Sequence, residues 1–190
     1  MDAAGVALIV GLGNPGPGHE GDRHNAGFWF IDALCDAQGI ELREETRFKG
    51  LLGRASSGLR VLKPLTFMNA SGESVAACAA YFRIPPAAVV VVHDELDLDA
   101  GRVRLKRGGG HGGHNGLRSI DRLLGSADYL RIRLGIGHPG SAAAVTGYVL
   151  GRPPAAEREA IGQAISSTLD ELANIVDGRF DRAMNTLNQR

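Results

Sequence analysis

The sequence predicts one α/β domain, a three-layer sandwich in which a mixed central sheet carries helices on both faces. Two observations lead to this prediction. Short apolar and β-branched runs alternate along the chain with longer segments of helical periodicity. Two of these runs, at 7–10 and 89–92, are apolar at every position, as expected for strands buried on both faces of a sheet. The 190 residues contain neither a repeat nor a linker, so we expect a single domain over 1–190.

Each element of the first half has its own local signal. The run at 7–10 is short, apolar and ended by glycine, which indicates a buried strand. Apolar residues at helical spacing predict a helix over 25–38. Ser71 is placed to cap a second helix, which the Pro85-Pro86 pair stops. Strands are expected over the remaining apolar or alternating segments, at 48–55, 59–63 and 89–92.

The second half continues the alternation. Residues 102–106 alternate between basic and apolar side chains, which predicts a half-exposed strand. A helix is expected over 117–124, and a second alternating strand follows over 130–136. Pro153-Pro154 opens a predicted helix that extends to residue 176. A last helical stripe consists of Phe180, Met184 and Leu187.

Composition excludes several classes of protein. Apolar residues make up 44% and charged residues 22% of the chain, which excludes a disordered chain, a collagen and a coiled coil. No apolar run approaches the roughly 18 residues of a membrane-spanning helix, and we expect no secretory signal at the N-terminus. Cys35 and Cys78 lie in apolar helical patterns, so we expect free buried thiols in a cytoplasmic protein that does not bind membranes.

Three polar segments directly follow predicted strands, and each contains a side chain suited to chemistry. These side chains are Asn14, Asn69 and Asp94. In open α/β sheets, ligands bind beyond the carboxyl ends of the strands. If the three strands are parallel neighbours, we expect these residues to converge at one edge of the sheet.

His24 lies in a polar stretch where a loop leads into a helix, which makes it a candidate general base. Such a base needs a partner for its other ring nitrogen, and Asp94 at the end of the most buried strand is the natural candidate. Asp22 is nearer in sequence, but we expect it to face solvent. No serine lies in a nucleophile elbow, so the predicted nucleophile of a hydrolase is water.

Two other functions remain as rivals. Residues 11–16 match the Gly-x-Gly-x-x-Gly pattern of dinucleotide-binding proteins, and Asp32 lies near the expected ribose carboxylate. However, the chain stays a loop until residue 25, and Asp32 falls in the middle of a helix. Four side chains are of types that bind zinc, but their spacing matches no zinc motif. They are His93, Asp94, His111 and His114. We therefore predict neither a cofactor nor a metal.

Positive charge is concentrated locally in a chain of zero net charge. Residues 101–133 contain only two acidic residues, and a glycine-rich loop at 108–116 lies between two basic strands. Arginine forks and exposed backbone N–H groups suit phosphate, although a solvated strand face is the alternative interpretation. Aromatic residues make up 5% of the chain, which favours backbone over base recognition. The basic residues are Arg102, Arg104, Lys106, Arg107, Arg118, Arg122, Arg131 and Arg133.

Taken together, these segments resemble the bacterial-type peptidyl-tRNA hydrolase family. The resemblance extends over most of residues 7–151 and rests on the order and spacing of six motifs. It implies a metal-free and cofactor-free enzyme that hydrolyses the ester between a peptide and the 3′ end of tRNA. The motifs are Val10-Gly11-Leu12-Gly13-Asn14-Pro15-Gly16, Arg23-His24-Asn25-Ala26-Gly27, Phe67-Met68-Asn69-Ala70-Ser71-Gly72, His93-Asp94-Glu95-Leu96-Asp97, residues 106–117, and Gly135-Ile136-Gly137-His138-Pro139.

The resemblance also implies roles for single residues. It assigns His24 as the catalytic base, Asp94 as its partner and Asn14 as the reader of the peptide amide. Further substrate contacts are implied for Asn69, Asn115, Phe67 in the peptide groove, and His114 in the glycine loop. Lys106 and Arg133 match a basic pair that meets tRNA phosphate.

Two positions depart from the family pattern. His19 replaces a usual aromatic residue at a position of substrate contact, and Asp22 replaces a usual threonine or serine. Neither change removes a residue of the implied mechanism, so we expect activity. An inactive RNA-binding relative of the same fold is the alternative. We expect a monomer without an obligate protein partner.

Overall fold

A computed structural model describes residues 5–189 of the chain. Residues 1–4, on which the expectation about a secretory signal partly depends, lie outside the described part. Within that part, no helix combines the length and the apolar character needed to cross a membrane.

The centre of the fold is a seven-stranded mixed sheet with the strand order β2-β3-β4-β1-β5-β7-β6. The four central strands β4, β1, β5 and β7 run parallel, whereas β2, β3 and β6 pair antiparallel at the two edges. The predicted mixed sheet is therefore confirmed. The strands are β1 (Leu8–Gly11), β2 (Arg43–Glu45), β3 (Gly50–Arg54), β4 (Arg60–Pro64), β5 (Val89–Glu95), β6 (Val103–Arg107) and β7 (Leu130–Gly135).

Helices cover both faces of this sheet, which confirms the three layers. Successive residues of the central strands point to opposite faces, so that Ile9 and Val90 pack against α1 and α5–α7. Val10 and Val91 pack against α2 and α3 on the other face. The helices are α1 (Ala26–Gln38), α2 (Ser71–Tyr81), α3 (Asn115–Leu124), α4 (Val145–Val149), α5 (Ala155–Asp170), α6 (Leu172–Val176) and α7 (Phe180–Asn188).

Several sequence predictions need correction in detail. Ser71 does not cap α2 but begins it, and its hydroxyl donates to the Met68 carbonyl. The helix predicted after Pro153-Pro154 breaks into α5 and α6 at Glu171. The edge strand β2 and the short helix α4 were not predicted, because neither is long enough to show a period. Cys35 and Cys78 are free and buried as predicted, and burial raises the pKa of each thiol to about 11.

Gly11 and Gly13 serve packing between β1 and α1 rather than a dinucleotide. A Cβ atom on Gly11 would collide with the Gly27 carbonyl of α1, and one on Gly13 would collide with the Phe28 ring. Helix α1 begins only at Ala26, so its N-terminus does not lie within the glycine motif as a pyrophosphate site requires. Asp32 pairs with Lys63 at 2.7 Å in the middle of α1.

Candidate active site

A cavity of about 650 Å³ opens at the carboxyl ends of β1 and β5, the edge at which the sequence predicted convergence. The parallel pairing of β4, β1 and β5 brings the segments that follow these strands together. Asp94 lies within β5 rather than after it, because the strand extends to Glu95. Seven of the predicted site residues line the cavity, namely Asn14, His24, Phe67, Asn69, Asp94, His114 and Asn115.

The floor of the cavity holds two histidines joined by one carboxylate. His24 Nδ1 lies 2.8 Å from Asp94 Oδ2, and His114 Nε2 lies 2.8 Å from Asp94 Oδ1. Asp94 is 3% exposed, so both hydrogen bonds lie in a region of low dielectric constant. The structure thus brings His24 and Asp94 into hydrogen-bond contact, and His114 is a second partner of the same carboxylate.

Local structure sets the protonation of both rings. His114 is the N-cap of α3, and its Nδ1 accepts hydrogen bonds from the backbone N–H groups of Gly116 and Leu117. The proton of neutral His114 is therefore on Nε2, which donates to Asp94. The ionised carboxylate likewise requires Nδ1–H of His24 as its donor. The lone pair of His24 is then on Nε2, the nitrogen left for a reaction in the cavity.

The electrostatics agree with this assignment. Burial alone would lower the pKa of His24, but the Asp94 carboxylate outweighs it and raises the pKa above its usual value. Burial would raise the pKa of Asp94, yet the two histidines hold it far below its usual range. Burial, followed by the effect of His114, lowers the pKa of neighbouring His93 to about 3. His93 is therefore neutral, and Nε2 of His24 is the basic atom of the group.

Asn14 is held so that it presents hydrogen-bond donors to the cavity. Its Oδ1 accepts from the backbone N–H of Met68 at 2.7 Å, and its Nδ2 has no hydrogen-bond partner among the described residues. Asn25 bonds the backbone of Asn14 from both sides, because its Oδ1 accepts from Asn14 N and its Nδ2 donates to Asn14 O. The side chain of Asn14 is 7% exposed. This buried amide therefore has a defined orientation.

The rim of the cavity is more open. Asn69 and Asn115 are exposed, the first in the turn before α2 and the second as the first residue of α3. Phe67 is 65% exposed and lines the cavity, as do residues of α4. The rim therefore offers both polar and apolar side chains around the catalytic floor.

The three linked side chains are also the types of residue that bind metals. One ligand atom each from His24, Asp94 and His114 lies within 4.8 Å of the others. Nε2 of His114 carries the ring proton, however, because Nδ1 accepts two backbone hydrogen bonds. A protonated nitrogen is a donor and not a metal ligand, so this hydrogen-bond pattern suits proton transfer better than metal binding.

Comparison with known proteins identifies the family. The family model described as peptidyl-tRNA hydrolase matches residues 8–190. The chain is 51% identical to the peptidyl-tRNA hydrolase of Azotobacter vinelandii, with 97% of each chain covered. It is 53% identical to that of Methylococcus capsulatus, over 96% of this chain and 98% of the relative. The crystal structure of the Acinetobacter baumannii enzyme is 46% identical and superposes with a TM-score of 0.93, over 96% of this chain and 94% of that chain.

The chain belongs to the peptidyl-tRNA hydrolase family. This confirms the resemblance stated from its motifs, and the fold agrees with the solved structures of the family. The dinucleotide interpretation is wrong, because α1 begins ten residues beyond Gly16, and Gly11 and Gly13 serve packing against α1.

The basic surface of this peptidyl-tRNA hydrolase family member differs from the prediction at one residue. Arg131 is 2% exposed, and its guanidinium donates to the carbonyls of Gly109 and Gly110. It therefore anchors the glycine loop from below and is no part of an exposed face. Lys106 is exposed and lies diagonally across the β6–β7 ladder from Arg133, outside the cavity lining. Their contact with phosphate remains a prediction.

The two departures from the family pattern form a pair. His19 Nδ1 lies 2.7 Å from Asp22 Oδ2, and the Asp22 side chain is 5% exposed. The expectation that Asp22 faces solvent is wrong, because the turn at 16–22 folds its carboxylate inward against His19. His19 lies outside the cavity lining, and its predicted contact with substrate is untested.

Three residues with a part in the site were missed by the sequence argument. Asn25 and Met68 hold Asn14, and Glu95 lines the cavity and bonds Arg133. Each acts through a contact between distant parts of the chain. Their place within the family motifs was the available signal, since each directly adjoins a residue that was predicted.

Proposed function

We propose that this protein hydrolyses the ester bond between a peptide, or an N-blocked amino acid, and the 3′ end of tRNA, with His24 activating the water. One observation carries the proposal. The unprotonated Nε2 of His24 belongs to a cavity that also holds the oriented amide of Asn14, while Asp94 and His114 fix the ring from behind. No side-chain nucleophile is needed, because a ribose oxygen is a good leaving group for attack by water.

His24 transfers one proton in the two steps of the reaction, first from water and then to the departing ribose oxygen. Nε2 of His24 removes a proton from water as the water oxygen attacks the ester carbonyl carbon, which forms a tetrahedral oxyanion. Asp94 stabilises the imidazolium through the 2.8 Å hydrogen bond at Nδ1. The carbon–oxygen bond to the ribose then breaks, and the same Nε2 returns its proton to the departing oxygen. The products are a free peptide acid and tRNA with a hydroxyl at its 3′ end.

The orientation of Asn14 explains how such an enzyme would spare ordinary aminoacyl-tRNA. Its oxygen is occupied by Met68 N–H, so the amide offers donors to the substrate. A donor pairs with the carbonyl oxygen of a peptide bond or an acyl group. A free aminoacyl end carries an ammonium group instead, which is itself a donor and carries a positive charge. The peptidyl substrate is therefore favoured over the free aminoacyl end.

The two exposed amides at the rim complete the substrate site. Asn69 and Asn115 both line the cavity and carry donors that can meet the developing oxyanion or the terminal nucleotide. A positioned donor at an oxyanion is worth about 3 kcal/mol, or two orders of magnitude in rate. Phe67 supplies an apolar wall for the peptide.

The remaining parts of the proposal concern partners and location. Lys106 and Arg133 are assigned to tRNA phosphate, and His19 to the edge of the substrate surface. The protein acts in the cytoplasm as a monomer, without an obligate protein partner, cofactor or metal. The assembled pair of His24 and Asp94 favours an active enzyme over an inactive RNA-binding relative.

The decisive experiment compares N-acetyl-aminoacyl-tRNA with the same tRNA carrying a free amino acid, in the presence of a chelator. Cleavage of only the blocked substrate is the expected result. His24→Asn should lose turnover while it retains thermal stability and tRNA binding, because asparagine keeps a donor for Asp94. An unchanged rate in His24→Asn would refute the assigned base, and loss of activity with chelator would favour the metal hydrolase.

A further inference from the structure

The carboxylate of Glu95 forms a salt bridge with Arg133, the arginine that is assigned to tRNA phosphate. Arg133 Nε donates to Glu95 Oε1 at 2.7 Å, and the two side chains are 23% and 18% exposed. The second oxygen of Glu95 faces the backbone N–H of Asp97 at 3.4 Å, which holds the carboxylate in place. Glu95 also lines the catalytic cavity, whereas Arg133 does not. The pair therefore connects the cavity with the basic surface outside it.

The sheet register explains why the two side chains meet. Arg133 in β7 pairs with His93 in β5, and Glu95 lies two residues further along β5 on the same face. The partner of Glu95 is Gly135, which has no side chain to separate Glu95 from Arg133. Lys106 projects from the neighbouring strand on this same face. Glu95 thus places one negative charge beside the positive charges of Lys106 and Arg133.

We propose that Glu95 limits the affinity of this enzyme for tRNA by competing with an RNA phosphate for the Arg133 guanidinium. The inference rests on the proposed function, since it takes tRNA as the ligand. Within residues 5–189, the bond through Nε is the one that the guanidinium makes to another side chain, which leaves both terminal nitrogens for a phosphate. The phosphate then lies close to the Glu95 carboxylate, and the repulsion between them weakens binding.

This arrangement suits an enzyme that must release its product. Deacylated tRNA keeps every phosphate of the substrate, so each phosphate contact holds the product as firmly as the substrate. A built-in anion weakens both equally and so shortens the residence of the product. The effect acts through Arg133, which makes Glu95 a positioning residue rather than a catalytic one.

The test is the isosteric change Glu95→Gln, measured by the Kd of deacylated tRNA and by its Ki as a product inhibitor. Glutamine keeps an oxygen for Arg133 Nε and removes the charge. Binding is expected to tighten about threefold to tenfold at low salt, and the gain should shrink as salt screens the charges. Glu95→Ala also removes the charge and should tighten binding if Glu95→Gln fails to fold.

Two controls isolate the proposed contact. Asp99→Asn removes an exposed carboxylate from the loop that follows β5 and should leave the Kd unchanged within about twofold. In an Arg133→Gln background, Glu95→Gln should have no further effect, because the competing guanidinium is gone. An unchanged or weaker Kd in Glu95→Gln, or an equal gain without Arg133, would overturn the inference. Failure of the unmodified protein to hydrolyse N-acetyl-aminoacyl-tRNA would instead overturn the proposed function.

Discussion

Replacement of Asp94 by asparagine is expected to lower kcat/KM for N-acetyl-aminoacyl-tRNA by about a thousandfold. The reaction creates an imidazolium at His24, whose Nδ1 lies 2.8 Å from the carboxylate of Asp94, a residue that is 3% exposed. Two unit charges about 4 Å apart interact with roughly 4 kcal/mol at an effective dielectric constant of about 20. That energy corresponds to about three orders of magnitude in rate.

The same substitution should move the pH profile in a defined direction. His24 acts as a base only when it is neutral, so kcat/KM falls as the pH drops through its pKa. Asp94 raises that pKa above the usual value, against the opposing effect of burial. Without the carboxylate the pKa falls, and the acid limb of the profile should shift to lower pH.

The assay is kcat/KM for N-acetyl-aminoacyl-tRNA between pH 5 and 9, with the thermal unfolding midpoint measured for the same preparations. Asparagine matches aspartate in size, so the variant should fold. A loss of less than tenfold together with an unmoved acid limb would show that His24 does not depend on Asp94.

Three other substitutions test separate parts of the structure. Asn14→Asp keeps the oxygen that accepts from the backbone but replaces the donor, so turnover of blocked substrate should fall by about a hundredfold or more, measured beside the free aminoacyl-tRNA. His93→Asn should make the free energy of unfolding depend less steeply on pH below pH 6.5. Burial lowers the pKa of His93 to about 3, so the unfolded state takes up the proton at a higher pH than the folded state. This difference lowers the free energy of unfolding of the parent by up to roughly 1.4 kcal/mol per pH unit between pH 6.5 and 3. Arg131→Met should lower the free energy of urea unfolding by about 1–3 kcal/mol and speed hydrogen exchange in the glycine loop, because the carbonyls of Gly109 and Gly110 lose the buried guanidinium that holds them. An unfolding free energy within about 0.5 kcal/mol of the parent would refute that anchoring role.

Sequence reasoning predicted the sheet because its central strands carry their signal locally. An uninterrupted run of β-branched residues such as Val89–Val92 is typical of a strand buried on both faces of a sheet. The convergence of Asn14, Asn69 and Asp94 followed from parallel pairing alone. These predictions needed only periodicity and the rule for where ligands bind.

What could not be predicted depends on contacts between distant segments. Nothing local distinguishes Arg131 from Arg133, since both lie on one face of β7, yet the glycine loop folds over the first and leaves the second partly exposed. The backbone carbonyls that bind Arg131 belong to Gly109 and Gly110. Glycines in a sequence indicate a flexible backbone, but they do not indicate the direction of its carbonyl groups. The exposed basic surface is therefore smaller than its charge count indicated.

The pairing of His19 with Asp22 shows the same limit at the level of the family pattern. Taken singly, each residue is a departure that removes an aromatic ring or adds a charge beside the base. Joined at 2.7 Å, the imidazole satisfies the carboxylate that the turn buries. The carbonyl of Asp22 meanwhile accepts from Asn25 N at 2.9 Å, which holds the turn that carries His24. Asp22 also adds, after Asp94, to the charge that raises the pKa of His24. Two changes that are costly alone are thus compatible together, because the second residue supplies the hydrogen-bond partner of the first.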